Sequence, residues 1–146
     1  MFFALDDPAQ HPGAERSAPL DELGRILIVD DDETNRLAVR VLMERRNYSV
    51  REAASGEEAL GMINEEPIDL VLMDLRMPGM DGFETTRRIR KENTDPALPV
   101  VALTVHTSLQ QQAMCMDAGM NAVLGKPFDP QQLDRLMTLL DLDRPE

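Results

Sequence analysis

The sequence is poor in three features that would each have indicated a particular class of protein. Cys115 is the only cysteine, so no intrachain disulfide can form and a reducing compartment is the natural environment. No run approaches the ~20 apolar residues of a membrane-spanning helix. Net positive charge is missing as well, because 27 acidic residues against 15 basic ones give a net charge of -12. We therefore expect a cytoplasmic protein with neither a membrane nor a nucleic-acid partner.

The length and composition suit one globular domain with a short extension. A chain of 146 residues with 42% hydrophobic and 29% charged residues is long enough to bury a full core. Residues 1–24 contain Pro8, Pro12 and Pro19 without sustained hydrophobic periodicity, which predicts a flexible tail or linker. The folded domain is then expected over residues 25–142.

From Arg25 onward, short apolar runs alternate with stretches of helical periodicity. The predicted strands are Ile26–Val29, Tyr48–Ala53, Ile68–Met73, Val100–Thr104 and Ala122–Leu124. The predicted helices are Glu33–Arg46, Ser55–Glu65, Phe83–Lys91 and Ser108–Ala118, with a last helix beginning at Asp129-Pro130. This alternation predicts a doubly wound α/β fold whose five-stranded parallel sheet is covered on both faces.

The run from Ile68 to Met73 ends abruptly in Asp74, and a proline and glycines then form a loop in which Asp81 can cap the next helix. An apolar run of this length, bounded by turn signals, predicts a central strand of a parallel sheet. Asp74 then lies at the carboxyl end of that strand, where open α/β sheets bind ligands. A single aspartate after a strand more often caps a turn, so the interpretation depends on its neighbours.

Polar residues follow the other strands as well: Asp30–Asp32 after the first, Thr104 at the end of the fourth and Lys126 after the fifth. Parallel strands end on one side, so these side chains can converge with Asp74 on one rim. Clustered carboxylates repel unless a cation intervenes, and oxygen ligands suit Mg²⁺. The lysine and the hydroxyl could cradle a tetrahedral anion, and a carboxylate beside them is a plausible nucleophile toward phosphorus.

These motifs resemble those of the receiver domain of two-component response regulators, over about residues 24–140. The matching segments are Ile28-Val-Asp-Asp-Asp32, Met73-Asp-Leu-Arg-Met-Pro-Gly-Met-Asp-Gly82, Ala102-Leu-Thr104 and Gly125-Lys-Pro-Phe128. The resemblance implies a flavodoxin-like sheet of strand order 2-1-3-4-5, similar to chemotaxis regulators. It also implies a phosphoacceptor signalling domain that catalyses only its own phosphorylation and dephosphorylation.

The same resemblance assigns roles to the residues of the rim. Asp74 would accept a phosphoryl group from the phosphohistidine of a histidine kinase or a histidine phosphotransfer protein, and the domain would then signal to an unknown protein target. Asp31, Asp74 and the backbone carbonyl of Arg76 would hold Mg²⁺, with Asp30 assisting. The resemblance leaves open whether the chain is a stand-alone regulator or a receiver cut from a longer protein.

Thr104 and Lys126 would be the switch hydroxyl and the phosphate-binding lysine. The stretch Cys115-Met-Asp-Ala-Gly-Met120 is more similar to receivers of hybrid kinases and phosphorelays than to those of DNA-binding regulators. Three positions depart from the family pattern, and one of them is Val105, since small residues are common directly after the switch threonine. Val123 stands where an aromatic ring often reports phosphorylation, and Arg46 stands at a usually apolar place in the first helix.

Helical spacing separates the residues of the first helix into two groups. Val39, Leu42 and Met43 suit the core, whereas Leu37 and Val41 are predicted to form an exposed apolar patch that docks the phosphodonor.

Three residues beside the rim are expected to set the lifetime of the phosphorylated form. Arg76 and Val105 would block the approach of water, and Arg76 would also pair with the phosphoryl charge. His106 could instead orient water as a base, an opposing effect that we expect to be the weaker one.

Two other functions remain as alternatives. A phosphatase of the haloacid-dehalogenase type also uses a strand-end aspartate and Mg²⁺, but it needs a second acid two residues later, where this chain has Arg76. A degenerate receiver would act only as a binding module. Intact Asp31, Asp74, Thr104 and Lys126 argue against that reading.

Overall fold

The computed structural model describes residues 24–92, 98–127 and 129–140, and strands alternate with helices throughout. The strands are β1 (Arg25–Val29), β2 (Ser49–Ala53), β3 (Leu70–Asp74), β4 (Val100–Thr104) and β5 (Ala122–Gly125). The helices are α1 (Glu33–Glu44), α2 (Gly56–Glu65), α3 (Gly82–Glu92), α4 (Leu109–Ala118) and α5 (Pro130–Leu139). The tail predicted for residues 1–24 lies, apart from Gly24, outside the described residues. None of the helices in the described ranges is long and apolar enough to cross a membrane.

The five strands form one parallel sheet in the order β2-β1-β3-β4-β5, which confirms the predicted doubly wound fold. The register aligns the carboxyl ends of the strands along one edge. Val29 pairs with Met73, the next residue Asp74 pairs with Leu103, and Thr104 pairs with Gly125. Residues that follow these strands are therefore brought to a common rim.

Alternate residues of the three central strands enter two separate cores, one on each face of the sheet. Leu27, Val71 and Ala102 face α2, α3 and α4, where the core includes Ala59, Ile89 and Cys115. Ile28, Leu72 and Leu103 face α1 and α5, where the core includes Val39, Met43, Leu133 and Met137. Both faces of the strands are buried, which explains why these strands are continuously apolar in sequence.

Two element ends differ from the sequence-based prediction by two residues. The first helix ends at Glu44 rather than Arg46, because the N–H groups of Arg46 and Asn47 bond carbonyls three residues back and Asn47 adopts a left-handed φ of 70°. The third strand begins at Leu70 rather than Ile68. At this end of the strand the backbone N–H of Arg25 donates to the side-chain carboxylate of Asp69 and not to a backbone carbonyl. The other element ends agree within one residue.

Arg46 has a structural role that the sequence did not reveal. Its Nε lies 2.6 Å from Oδ1 of Asp134 on α5, and its Nη1 donates to the carbonyl of Leu42 at 3.0 Å. The guanidinium thus ties the carboxyl end of α1 to α5, which explains a charged residue at a place where an apolar one is usual.

Candidate functional site

Three aspartates meet at the carboxyl edge of the sheet. Asp30 follows β1, Asp31 comes next, and Asp74 ends β3; one carboxylate oxygen from each lies within 4.8 Å of the other two. Asp30 is 2% exposed, Asp74 is partly buried and Asp31 is exposed. The fourth acid predicted at this rim, Asp32, is not in the cluster, because its Oδ1 accepts the N–H groups of the first turn of α1. Three carboxylates therefore form the acid cluster.

Lys126 is the cation that faces this cluster. Its Nζ lies 3.4 Å from Oδ2 of Asp30 and 3.5 Å from Oδ1 of Asp74, and its side chain is largely buried. The backbone N–H of Lys126 donates to the carbonyl of Thr104 at 2.8 Å, which fixes the end of β5 against that of β4. One positive charge thus offsets part of the repulsion among three acids.

The electrostatic environment opposes ionisation of Asp74. Burial of its carboxyl group and the nearby charge of Asp30 raise the pKa of Asp74 above its usual range, while Lys126 and the backbone N–H of Arg76 lower it by less. When Asp74 is ionised, its negative charge lies close to that of Asp30 and is offset only in part by Lys126. A bound cation would relieve that repulsion.

The donor set fits a hard divalent cation. Three carboxylates provide oxygen ligands, and the exposed Asp31 leaves one side of the cluster open to water, as Mg²⁺ prefers. Lys126 contacts Asp74 on the same rim, so a phosphoryl group on Asp74 would have a cationic partner within reach. The cluster can therefore combine a carboxylate nucleophile, a cation site and a positively charged anion contact.

Thr104 ends β4 beside this cluster. It is buried, and its Oγ1 accepts the N–H of His106 at 3.0 Å, which leaves the hydroxyl proton free to be donated elsewhere. Val105 and His106 are exposed on the loop that follows, and Arg76 is exposed two residues after Asp74. The three predicted lifetime residues are thus on loops that begin at this rim.

The predicted docking residues are exposed on α1. Leu37 and Val41 are 56% and 38% exposed, whereas Val39 and Met43 are buried and Leu42 is partly buried. The division of α1 into core and surface residues is thereby confirmed. Val123 lies partly buried against the core on the α2, α3 and α4 side.

Two features of the site could not be predicted from the sequence. Gly82 lies so close to β3 that a Cβ there would be 2.5 Å from the carbonyl oxygen of Asp74. Arg36 donates from Nη1 to the carbonyl of Asp30 at 2.7 Å and from Nε to Oε1 of Glu52 at 2.8 Å. The sequence indicates only that Gly82 belongs to a loop. Nothing in the local sequence pattern connects Arg36 with a glutamate on another element.

Comparison with known proteins identifies relatives of two kinds. The sensor histidine kinase GacS of Pseudomonas protegens is 38% identical over 133 residues, which are 86% of this chain and 14% of the kinase. The transcriptional regulatory protein ResD of Bacillus subtilis is 38% identical over 109 residues, which are 75% of this chain and 44% of that protein. The chain therefore spans less than half the length of these relatives.

A solved structure agrees with the same assignment. The chemotaxis protein CheY4 of Vibrio cholerae superposes with a TM-score of 0.73 at 32% identity, and the match covers 82% of this chain and 98% of CheY4. A family model described as the response regulator receiver domain matches residues 26–138. Fold, sequence and acid cluster agree, and the chain belongs to the response regulator receiver domain family of two-component systems.

Proposed function

We propose that Asp74 accepts a phosphoryl group from a phosphohistidine, carried by a histidine kinase or a histidine phosphotransfer protein, and that the domain then signals by protein contact. The observation that carries this proposal is the convergence of Asp30, Asp31 and Asp74 within 4.8 Å, with Nζ of Lys126 3.5 Å from Asp74. A cation site and an anion contact thus adjoin one nucleophilic carboxylate.

In the proposed reaction, a carboxylate oxygen of Asp74 attacks phosphorus, the P–N bond of the phosphohistidine breaks, and the electron pair returns to the imidazole nitrogen. The product is an acyl phosphate on Asp74. Lys126 contacts the incoming phosphoryl oxygens, and the hydroxyl of Thr104 donates to one of them once the group is in place. A loss of the Thr104–His106 contact would then carry the change into the loop before α4.

Asp31, Asp74 and the backbone carbonyl of Arg76 are the proposed Mg²⁺ ligands, with Asp30 assisting. The cation would neutralise charge on the transferring phosphoryl group. The carboxylate geometry supports the three aspartates in this role. The role of the Arg76 carbonyl rests on the family resemblance.

Leu37 and Val41 are the proposed docking surface for the phosphodonor, because they are exposed apolar residues on the helix that begins at the acid cluster.

A cytoplasmic setting and a receiver unit over residues 25–142, preceded by a tail at 1–24, belong to the same proposal. The free, buried thiol of Cys115 is compatible with a reducing compartment.

The experiment is incubation with acetyl phosphate and Mg²⁺, followed by intact-mass measurement. Wild type should gain one phosphoryl group, and Asp74→Asn should gain none because the amide is not a nucleophile. Asp117→Asn, at an exposed aspartate on α4, is the matched control and should react like wild type. Phosphorylation of Asp74→Asn, or none of wild type, would refute the proposal; the latter result would favour a receiver that only binds partners.

A further inference from the structure

Asp30 is held at four separate atoms. Its N–H donates to the carbonyl of Ala53 at 3.1 Å, and its own carbonyl accepts from Nη1 of Arg36 at 2.7 Å. Its Oδ1 accepts the N–H of Asp32 at 2.9 Å, and its Oδ2 lies 3.4 Å from Nζ of Lys126. Asp30, whose carbonyl begins the peptide that leads to Asp31, is therefore held by groups from β2, from the start of α1 and from the loop after β5.

Arg36 is the group that holds the carbonyl of Asp30, and it does so through a long side chain. Its side chain is 15% exposed, and Nε donates to Oε1 of Glu52 on β2 at 2.8 Å. The other oxygen of Glu52 accepts from Nη1 of Arg40 at 2.6 Å. Burial raises the pKa of Glu52, but hydrogen bonds from Arg36 and Arg40 lower it by more, so Glu52 is held as a carboxylate that anchors the guanidinium.

We propose that Arg36, anchored by Glu52, is a positioning residue for cation binding: it fixes the carbonyl of Asp30 and thereby presents Asp31 to the metal. The inference rests on the proposed Mg²⁺ site. Arg36 itself contacts neither Asp31 nor Asp74 in the described contacts, so its effect passes through the backbone of Asp30. Partners of this kind, one step removed from the ligands, orient them and commonly affect metal affinity about 10- to 100-fold.

Charge and positioning predict opposite results for the loss of Arg36. A guanidinium near a cation site repels the cation, so Coulomb forces alone predict tighter Mg²⁺ binding when Arg36 is removed. Positioning predicts weaker binding, because the loop at Asp30 and Asp31 must then be ordered when the cation binds. The sign of the change in affinity therefore separates the two effects.

Arg40 provides a matched control. It also bonds Glu52 and also carries a guanidinium on α1, but its described partners are Glu52 and Glu44, not Asp30. Removing Arg40 deletes a similar charge from the same helix and leaves the contact between Arg36 and the Asp30 carbonyl in place.

The test is calorimetric titration of the full chain with Mg²⁺ alone, with melting temperatures measured in EDTA to follow stability separately. Arg36→Ala should weaken binding about tenfold. Arg36→Lys, which keeps the charge but lacks the rigid guanidinium fork that reaches both the carbonyl and Glu52, should bind with intermediate affinity and decides the question if the alanine variant does not fold. Arg40→Ala should bind at least as tightly as wild type.

Unchanged or tighter binding by Arg36→Ala would overturn the inference, as would equal weakening in Arg36→Ala and Arg40→Ala. Asp31→Ala distinguishes this failure from failure of the proposed function. If wild type takes up no Mg²⁺, or if Asp31→Ala binds as wild type does, the metal site itself is wrong. If Asp31→Ala loses binding and the Arg36 variants do not, the positioning role alone is wrong.

Discussion

Gly82, the first residue of α3, packs directly against the backbone that carries Asp74, the proposed phosphoacceptor. A Cβ at Gly82 would lie 2.5 Å from the carbonyl oxygen of Asp74 and 2.9 Å from the Cα of Leu75. The N–H of Gly82 also donates to the carbonyl of Leu75 at 3.1 Å. The start of α3 and the end of β3 therefore pack backbone against backbone, with no space for a side chain between them.

Gly82→Ala should destabilise the protein by about 1–3 kcal/mol and slow phosphorylation by acetyl phosphate, because the added methyl group displaces the strand end. Thermal unfolding and intact-mass time courses measure the two effects. Gly61→Ala, on α2, is the control: a Cβ there meets nothing within 4 Å, and removing a helical glycine should stabilise by about 0.5–1 kcal/mol. An active Gly82→Ala protein as stable as wild type would contradict the close packing.

Asp74→Asn should raise the melting temperature of the metal-free protein at pH 7. The folded-state pKa of Asp74 is raised by burial and by Asp30, so the folded state binds this proton more tightly than the unfolded state, in which the pKa is about 3.9. Wild type loses stability as pH rises from that value through the folded-state pKa; asparagine does not ionise.

The stability difference between Asp74→Asn and wild type should therefore vanish as pH falls below about 4. Melting curves between pH 3 and 8 in EDTA would measure it, with Asp117→Asn as the control that leaves the acid cluster intact. A difference that stays constant across this range would show that ionisation of Asp74 is not its cause.

Millimolar Mg²⁺ should raise the melting temperature of wild type, because binding to the folded state alone relieves the repulsion among the three aspartates. At tenfold excess over the dissociation constant the gain is about 1.4 kcal/mol. Asp31→Ala should gain far less. If the two proteins respond equally to Mg²⁺, the stabilisation comes from elsewhere on this acidic surface.

Leu37→Glu combined with Val41→Glu should slow phosphotransfer from a protein phosphodonor and leave phosphorylation by acetyl phosphate unchanged, since the small donor needs no docking surface. Leu139→Glu, at an 81% exposed leucine on α5, controls for an added acidic residue. Radiolabel transfer from a phosphorylated kinase gives the first rate and mass spectrometry the second. Equal slowing with both donors would mean that the double variant damages the site itself.

Arg76→Ala and Val105→Ala should shorten the lifetime of phosphorylated Asp74, the former by up to about tenfold, which corresponds to ~1.4 kcal/mol in barrier height. Both side chains are exposed on loops beside the site, where they can hinder the approach of water. Autodephosphorylation at constant Mg²⁺ measures the rates. His106→Ala is the comparison variant, and faster hydrolysis by wild type than by His106→Ala would indicate base action instead.

The strand-end residues could be predicted from sequence because a single rule places them. In a parallel sheet every strand ends on one side, so Asp30, Asp74, Thr104 and Lys126 are brought together by topology alone. The surface position of Leu37 and Val41 followed in the same way from helical periodicity.

Contacts made by long side chains across elements could not be predicted in this way. Arg36 forms a hydrogen bond with Glu52, which lies 16 residues later in the chain, and Arg46 forms one with Asp134, which lies 88 residues later. Neither pairing produces a local pattern, because each depends on how a helix packs on the finished sheet. The separation of Asp32 from the acid cluster could not be predicted either, because it depends on the side-chain geometry by which Oδ1 of Asp32 caps α1.

The two helices that cover one face of the sheet come from opposite ends of the domain, and this affects folding during synthesis on the ribosome. The core formed by Ile28, Leu72 and Leu103 is closed by α1 from the beginning of the domain and by α5 from its end. A nascent chain therefore exposes the part of this apolar face that α5 covers until residues 130–140 have been translated and have left the exit tunnel. Until then the sheet is open to chaperones and to other nascent chains, and native docking of the last helix is a late step in the folding of this domain.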